Sequence, residues 1–400
     1  MKPFGSFNKI QCAILPIFFA FTICVSAETF FNGYSGAVAT IQPIKDQKPE
    51  LTAQAFFTGQ FDISGLFQIR AELSINTEDI INNGLFQNTP AFFTINELSA
   101  TAKIHSAGTM HLITAFAGSF ESIGSDLFLR RMFGIQPVGA KLTESWLGLN
   151  SSSIYSFSGL GLAYGMKLNG PHAFGAYIYR DKTEKNLSFN GDVRYAGIFD
   201  FISIDAAFGI GLPFETEDSA GNNVILLIRT VDLHGGITLL IGNRYTTSIF
   251  LQGGIKQLRL NPNEEEKVLK LSDLYFILEP RFTTKNMHFH FSLFNIPETM
   301  AKDLFYISNP LGCNLSIFSD KVQLGKLNLT VGGHLTLSAT NTTLENFNEI
   351  SNDSLELQIA PFASTELFGG ILNLAAKIDV LNIINWHESF QFIAGYKVQL

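Results

Sequence analysis

The side chains with chemical potential in this chain are charged residues that recur with period two. Arg70 and Glu72 share one face of the segment 64–74, and Glu97 and Lys103 share one face of 97–105. Lys167, Glu279, Arg281, Lys377 and Asp379 hold the same kind of position farther along. Side chains alternate across an extended strand, so each of these lies on a polar face opposite an apolar one. Rows of both signs along a water-filled path create a transverse field that sorts mobile ions by charge, rather than a pocket for one ligand. Arg130 and Arg131 stand apart from these rows. They lie in SDLFLRRMF, residues 125–133, where Ser125 is a candidate N-cap and the arginines sit near the C-terminal end of a short helix.

No enzyme constellation accompanies these charges. G-x-S-x-G, G-x-x-x-x-G-K-[ST], H-E-x-x-H and C-x-x-C do not occur. Gly159, Gly161 and Gly165 approach a dinucleotide-loop spacing, but the third glycine comes one residue late and the alternation around it is that of a strand. His288 and His290 share a strand face and would need a third ligand to hold a metal, so a polar pair is the simpler reading. Glu264, Glu265 and Glu266 read as a solvated loop. His105, His111, His234 and His334 sit in strand contexts near Ser or Thr, which leaves a barrel-borne hydrolase as a minor alternative. No catalytic residue, metal or cofactor is expected.

Composition bounds the class. Only 16% of residues are charged and 46% are hydrophobic, with Gly counting 34 and Phe 38 against Trp 2. A soluble domain carries about 25% charge, so much of this surface is expected to meet something other than water. Phe in excess suits aromatic belts at membrane interfaces, or reflects codon bias. The net charge of −8 argues against a nucleic-acid partner. Lys2 and Lys9, the apolar run Ile10–Val25 and Val25-Ser26-Ala27 read as a secretory signal peptide over 1–27. A lipidation box ending on Cys24 is the competing reading, with Ile23 a poor residue before the cysteine. Removing 1–27 leaves Cys313 alone, so no intramolecular disulfide is expected in the secreted chain. No later segment reaches the roughly 18 apolar residues of a helical span.

The C-terminus organises the rest. In ESFQFIAGYKVQL, residues 388–400, Phe390, Phe392, Ala394, Tyr396, Val398 and Leu400 fall on one face, opposite Gln391, Ile393, Gly395, Lys397 and Gln399. Gly395, Tyr396, Val398 and Leu400 resemble the C-terminal insertion signal of bacterial outer-membrane β-barrels, with Leu400 in place of the Phe that many members carry. The resemblance implies that this is the closing strand, read by the barrel-assembly machinery, and that the chain resides in the bacterial outer membrane among its lipids.

On that basis residues 28–400 are expected to form an all-β fold, a transmembrane antiparallel up-and-down barrel. Candidate strands are long, many of ten residues or more, as membrane-spanning strands require. Segments number about 16 to 18, and merging some gives an expected barrel of about 14 to 16 strands. Residues 28–45 read as a first strand or a hatch. Residues 121–141 read as a long loop with a short helix, folded into the lumen or over the mouth. There Arg130 and Arg131 would form an anion-selective constriction, unless the helix merely packs on the rim. Long polar loops such as 296–303 and 339–353 alternate with short turns.

The function implied is a channel that passes small hydrophilic solutes, similar to porins. Two other readings remain open. A plugged barrel for hydrophobic substrates, resembling long-chain fatty-acid transporters, would use 28–45 as a hatch and Ile113, Ala115 and Ala117 as an apolar lumen patch, although that family's Asn-Pro-Ala hatch motif is missing. A secreted all-β binding protein would turn the same apolar faces toward a core.

Overall fold

The computed structural model describes residues 29–43, 49–83, 90–123, 127–135, 139–144, 154–181, 187–217, 223–228, 230–243, 245–260, 267–325, 327–340, 342, 344, 346–350, 354–385 and 389–400. The expected signal peptide, Ser125 and Glu264–Glu266 lie outside them. The strands are β1 (Thr29–Gln42), β2 (Glu50–Ile63), β3 (Phe67–Thr77), β4 (Ala91–Ser106), β5 (Thr109–Ser122), β6 (Ser156–Lys167) and β7 (His172–Asp181). There follow β8 (Leu187–Ile198), β9 (Ile202–Glu217), β10 (Asn223–Leu227), β11 (Val231–Gly242), β12 (Thr247–Leu260), β13 (Leu274–Thr283) and β14 (Met287–Asn295). β15 (Leu311–Ser319), β16 (Val322–Leu324), β17 (Leu327–Ala339), β18 (Leu355–Leu367), β19 (Gly370–Asp379) and β20 (Gln391–Gln399) complete the sheet.

Each strand pairs antiparallel with its sequence neighbour, β10 and β16 being short hairpin extensions, and β20 pairs with β1 to close the ring. The barrel therefore has 18 strands, not the 14 to 16 expected. Two segments account for the difference. Residues 29–42, read as strand or hatch, are a full wall strand whose fourteen residues pair with β2 from Thr29↔Ile63 to Gln42↔Glu50. β8, LSFNGDVRYAGI, was not recognisable as a strand because Asn190, Gly191 and Asp192 are residue types that strands disfavour. Its Asp192 and Arg194 face the interior, where Tyr155 and His234 meet the first and Asp205 the second.

Burial is inverted relative to a soluble sandwich. Phe67, Leu98, Leu162, Ile178 and Val193 are exposed on the outside, while Gln68, Ser99, Asn190, Ser292, Asn314 and Thr336 are buried within. A closed ring leaves no unpaired sheet edge, and an apolar outer wall with a polar interior is the arrangement a bilayer demands. The chain is a transmembrane β-barrel. Short turns, such as 64–66, 107–108 and 368–369, gather with Thr29 and Leu400 at one mouth, and the long connections gather at the other.

The closing strand keeps the expected alternation. Gln391, Ile393 and Lys397 face the lumen, with the Lys397 ammonium 4.8 Å from the centre of the Tyr34 ring, and Phe392, Ala394, Tyr396 and Val398 lie on the outer face. Phe390 precedes the strand, and Leu400 follows it, its N–H donating to the Gly33 carbonyl at 2.8 Å.

Candidate functional site: a narrowed polar lumen

Alternation on β2, β3 and β4 projects a charged group inward. Arg70 donates through Nε to Glu97 at 2.8 Å and through a terminal nitrogen to Glu72 at 3.3 Å, and Ser99 donates to Glu97 at 2.7 Å. These side chains are almost fully covered. One step toward the short-turn mouth, Lys103 meets Asp62 at 2.9 Å, and both remain about a fifth exposed.

In the connection from β5 to β6, the described residues 127–135 and 139–144 lie inside the barrel. A helix over Leu127–Phe133 buries Phe128, Leu129 and Met132 against Leu112, Ala173 and Ala196 of the wall. Glycine makes room for it: a Cβ at Gly165 would stand 2.5 Å from the Met132 methyl. Arg131 reaches Glu121 at 2.9 Å, and Tyr177 donates to the same carboxylate at 2.6 Å. Arg194 holds Asp205 through two bonds of 2.8 and 2.6 Å, donates to the Ser122 carbonyl at 3.0 Å and lies 4.2 Å from the centre of the Phe128 ring. Across the lumen the Lys141 N–H donates to both Glu279 oxygens at 3.1 and 3.0 Å. Arg281 ties Glu279 to the Gly139 carbonyl, at 2.9 and 2.5 Å.

The connection from β14 to β15 also folds inward, contrary to the expectation of an external polar loop. Ile296, Met300, Ala301, Leu304 and Ile307 bury against Leu142, Phe294 and their neighbours, so burial of apolar side chains outweighs the polar appearance of the segment. Thr336 donates to the Tyr306 carbonyl at 2.9 Å, and Lys377 and Gln358 both reach Ser308. The Tyr306 ring stacks on His334 at 3.6 Å. Burial, with Glu144 nearby, pushes the pKa of the Tyr306 hydroxyl up, so it stays neutral.

Beneath the two inward connections, toward the short-turn mouth, lies a cavity of about 340 Å³. Lys141, Glu144 and Tyr306 reach it from the connections, and His288, Phe318, Asp320, Lys321 and Phe362 from the wall and its mouth. Along the closure seam the inward residues Gln60, Asp62, Lys103, Ser364, Asn373, Gln391 and Lys397 stay partly exposed, whereas Phe157, Arg194, Glu279 and Asn314 are covered.

Of the charged residues singled out in the sequence, Arg70, Glu72, Glu97, Lys103, Lys167, Glu279, Arg281 and Lys377 all lie on the inner face. Lys167 stands 5.7 Å from the centre of the Phe133 ring. Asp379 sits at the far end of β19 and accepts from the Leu381 N–H at 3.0 Å. Arg130 and Arg131 part company: Arg131 is engaged with Glu121, while Arg130 is exposed on the helix. Ile113 and Ala115 face outward, which removes the apolar lumen patch of the hydrophobic-transport reading. His288 and His290 do share the inner face, but each meets a carboxylate, Asp320 at 2.7 Å and Glu279 at 3.1 Å. Among the described residues no group of three or more His, Cys, Asp or Glu is placed to hold a metal ion. Sequence reasoning missed Glu121 on β5, Asp192 and Arg194 on β8 and Asp205 on β9; the period-two spacing of Asn190, Asp192 and Arg194 was a signal for β8 that the disfavoured residue types masked.

No protein-family model matches the chain, and no curated protein matches it. Among solved structures it is similar to a triple mutant of Rhodopseudomonas blastica porin, at 10% identity and a TM-score of 0.45, covering 93% of this chain and 100% of that one. It is also similar to Salmonella typhi OmpF in complex with daunomycin, at 12% identity and a TM-score of 0.42, covering 94% and 98%. The class of the protein rests on its own ring of strands and inverted burial.

Proposed function

We propose that this protein is a channel of the bacterial outer membrane that passes small hydrophilic solutes by diffusion. The partly exposed polar residues along the closure seam carry this reading, because they would line a path for water beside the covered interior. The two inward connections narrow that path. Lys103, Asp62 and Lys397 would set its ion preference, with Arg281 and Lys377 contributing through the field of the wall. The outer face of β20 would contact lipid and be read by the assembly machinery. A hydrophobic-substrate transporter is less well supported, since its hatch segment is wall strand β1 and its apolar patch points at lipid.

Planar-bilayer conductance of the refolded barrel tests the proposal. Discrete, voltage-stable current steps are expected. Silence from a folded, inserted barrel would refute an open path.

A further inference from the structure

We infer that the cavity at the short-turn mouth is a binding vestibule for small zwitterions, solutes with a free ammonium, a free carboxylate and a compact apolar body, such as dipeptides. The inference rests on the channel reading and deepens it. The volume, about 340 Å³, suits a solute of that size. Its charges come in both signs, Lys141 and Lys321 beside Glu144 and Asp320, so a simple anion or cation meets repulsion as well as attraction. A solute carrying both charges satisfies both.

The cationic end is pre-positioned. Glu279 grips the backbone N–H of Lys141, which anchors the residue, and its ammonium, paired with Glu144, stands 4.5 Å from the centre of the Phe318 ring. Phe318 and Phe362, with ring centres 6.5 Å apart, offer an apolar wall for the body of the solute. The anionic end is replaceable: Glu144 is 57% exposed and paired with Lys141, and Asp320 is 54% exposed and paired with His288. Exposed ion pairs of this kind are weak, so an incoming ammonium or carboxylate exchanges for an existing partner at little cost. Pre-organised, partly dry charges give such an exchange its affinity.

The test is calorimetric titration of the refolded barrel in detergent with glycyl-phenylalanine, its N-acetyl and C-amide forms, and maltose as a neutral solute. Saturable binding of the free dipeptide is expected, weakened about tenfold by capping either end, the loss of one charge-assisted contact. Lys141→Met should weaken the free dipeptide but not the amide, and Glu144→Gln should weaken the free dipeptide but not the N-acetyl form. Equal affinity for all four solutes, tighter binding of maltose, or no saturable binding by a barrel that conducts would overturn the vestibule. Binding by a barrel that does not conduct would sink the channel reading and leave the vestibule standing.

Discussion

Glu279 on β13 accepts the backbone N–H of Lys141, 138 residues away in sequence, with both carboxylate oxygens. The same carboxylate receives Arg281 at 2.9 Å and Ser292 at 2.6 Å, so it is the clasp that holds the first inward connection against the far wall. Glu279→Gln leaves one acceptor oxygen for those donors. The clasp should loosen by about 1–3 kcal/mol, the cost of buried donors left unmade. Single-channel recordings should then show larger and noisier current steps, while the wall, which is held by strand pairing, stays closed.

Lys103 and Arg70 look equivalent in the sequence and are not equivalent in the fold. Lys103 is about a fifth exposed on the seam, so Lys103→Glu should shift reversal potentials toward cation preference with little loss of stability. Arg70 is enclosed with Glu72 and Glu97. Arg70→Ala should instead cost about 3–5 kcal/mol, because it strands buried carboxylates. Urea unfolding of the two variants separates these outcomes.

Leu162 is central in β6, 62% exposed on the outer face and opposite Ile178. Leu162→Arg should destabilise the lipid-inserted barrel by about 2–4 kcal/mol, the cost of a cation near the bilayer midplane. If folding in lipid vesicles were unaffected by this change, the outer wall would not be the lipid face.

Gly165 admits the helix 127–133 at close range. Gly165→Leu should displace that helix at a cost of about 1–3 kcal/mol, the usual penalty of overpacking. The expected readout is faster proteolysis of the β5–β6 connection with unchanged far-ultraviolet circular dichroism.

What the sequence by itself determined is what alternation encodes. Period two is a local property, and it placed Arg70, Glu72, Glu97, Lys103, Glu279 and Lys377 on one side and Phe67, Leu98 and Leu162 on the other. It also read a closing strand within residues 388–400, of which Gln391–Gln399 form the strand. Alternation alone could not say whether the apolar side met lipid or a core; closure of the ring and the covered polar interior decided that.

Tertiary structure alone decided the rest. The strand number waited on β8, whose Asn190, Gly191 and Asp192 disfavour a strand, and where His234 meets Asp192 and Asp205 and the inner helix meet Arg194. The inward fold of residues 296–310 depends on Ile296, Leu304 and Ile307 finding Leu142 and Phe294 across the lumen. The clasp between Glu279 and Lys141 joins segments that no local pattern connects. In each case the stabilising contact is non-local, so its energy exists only once the barrel has brought the two segments together.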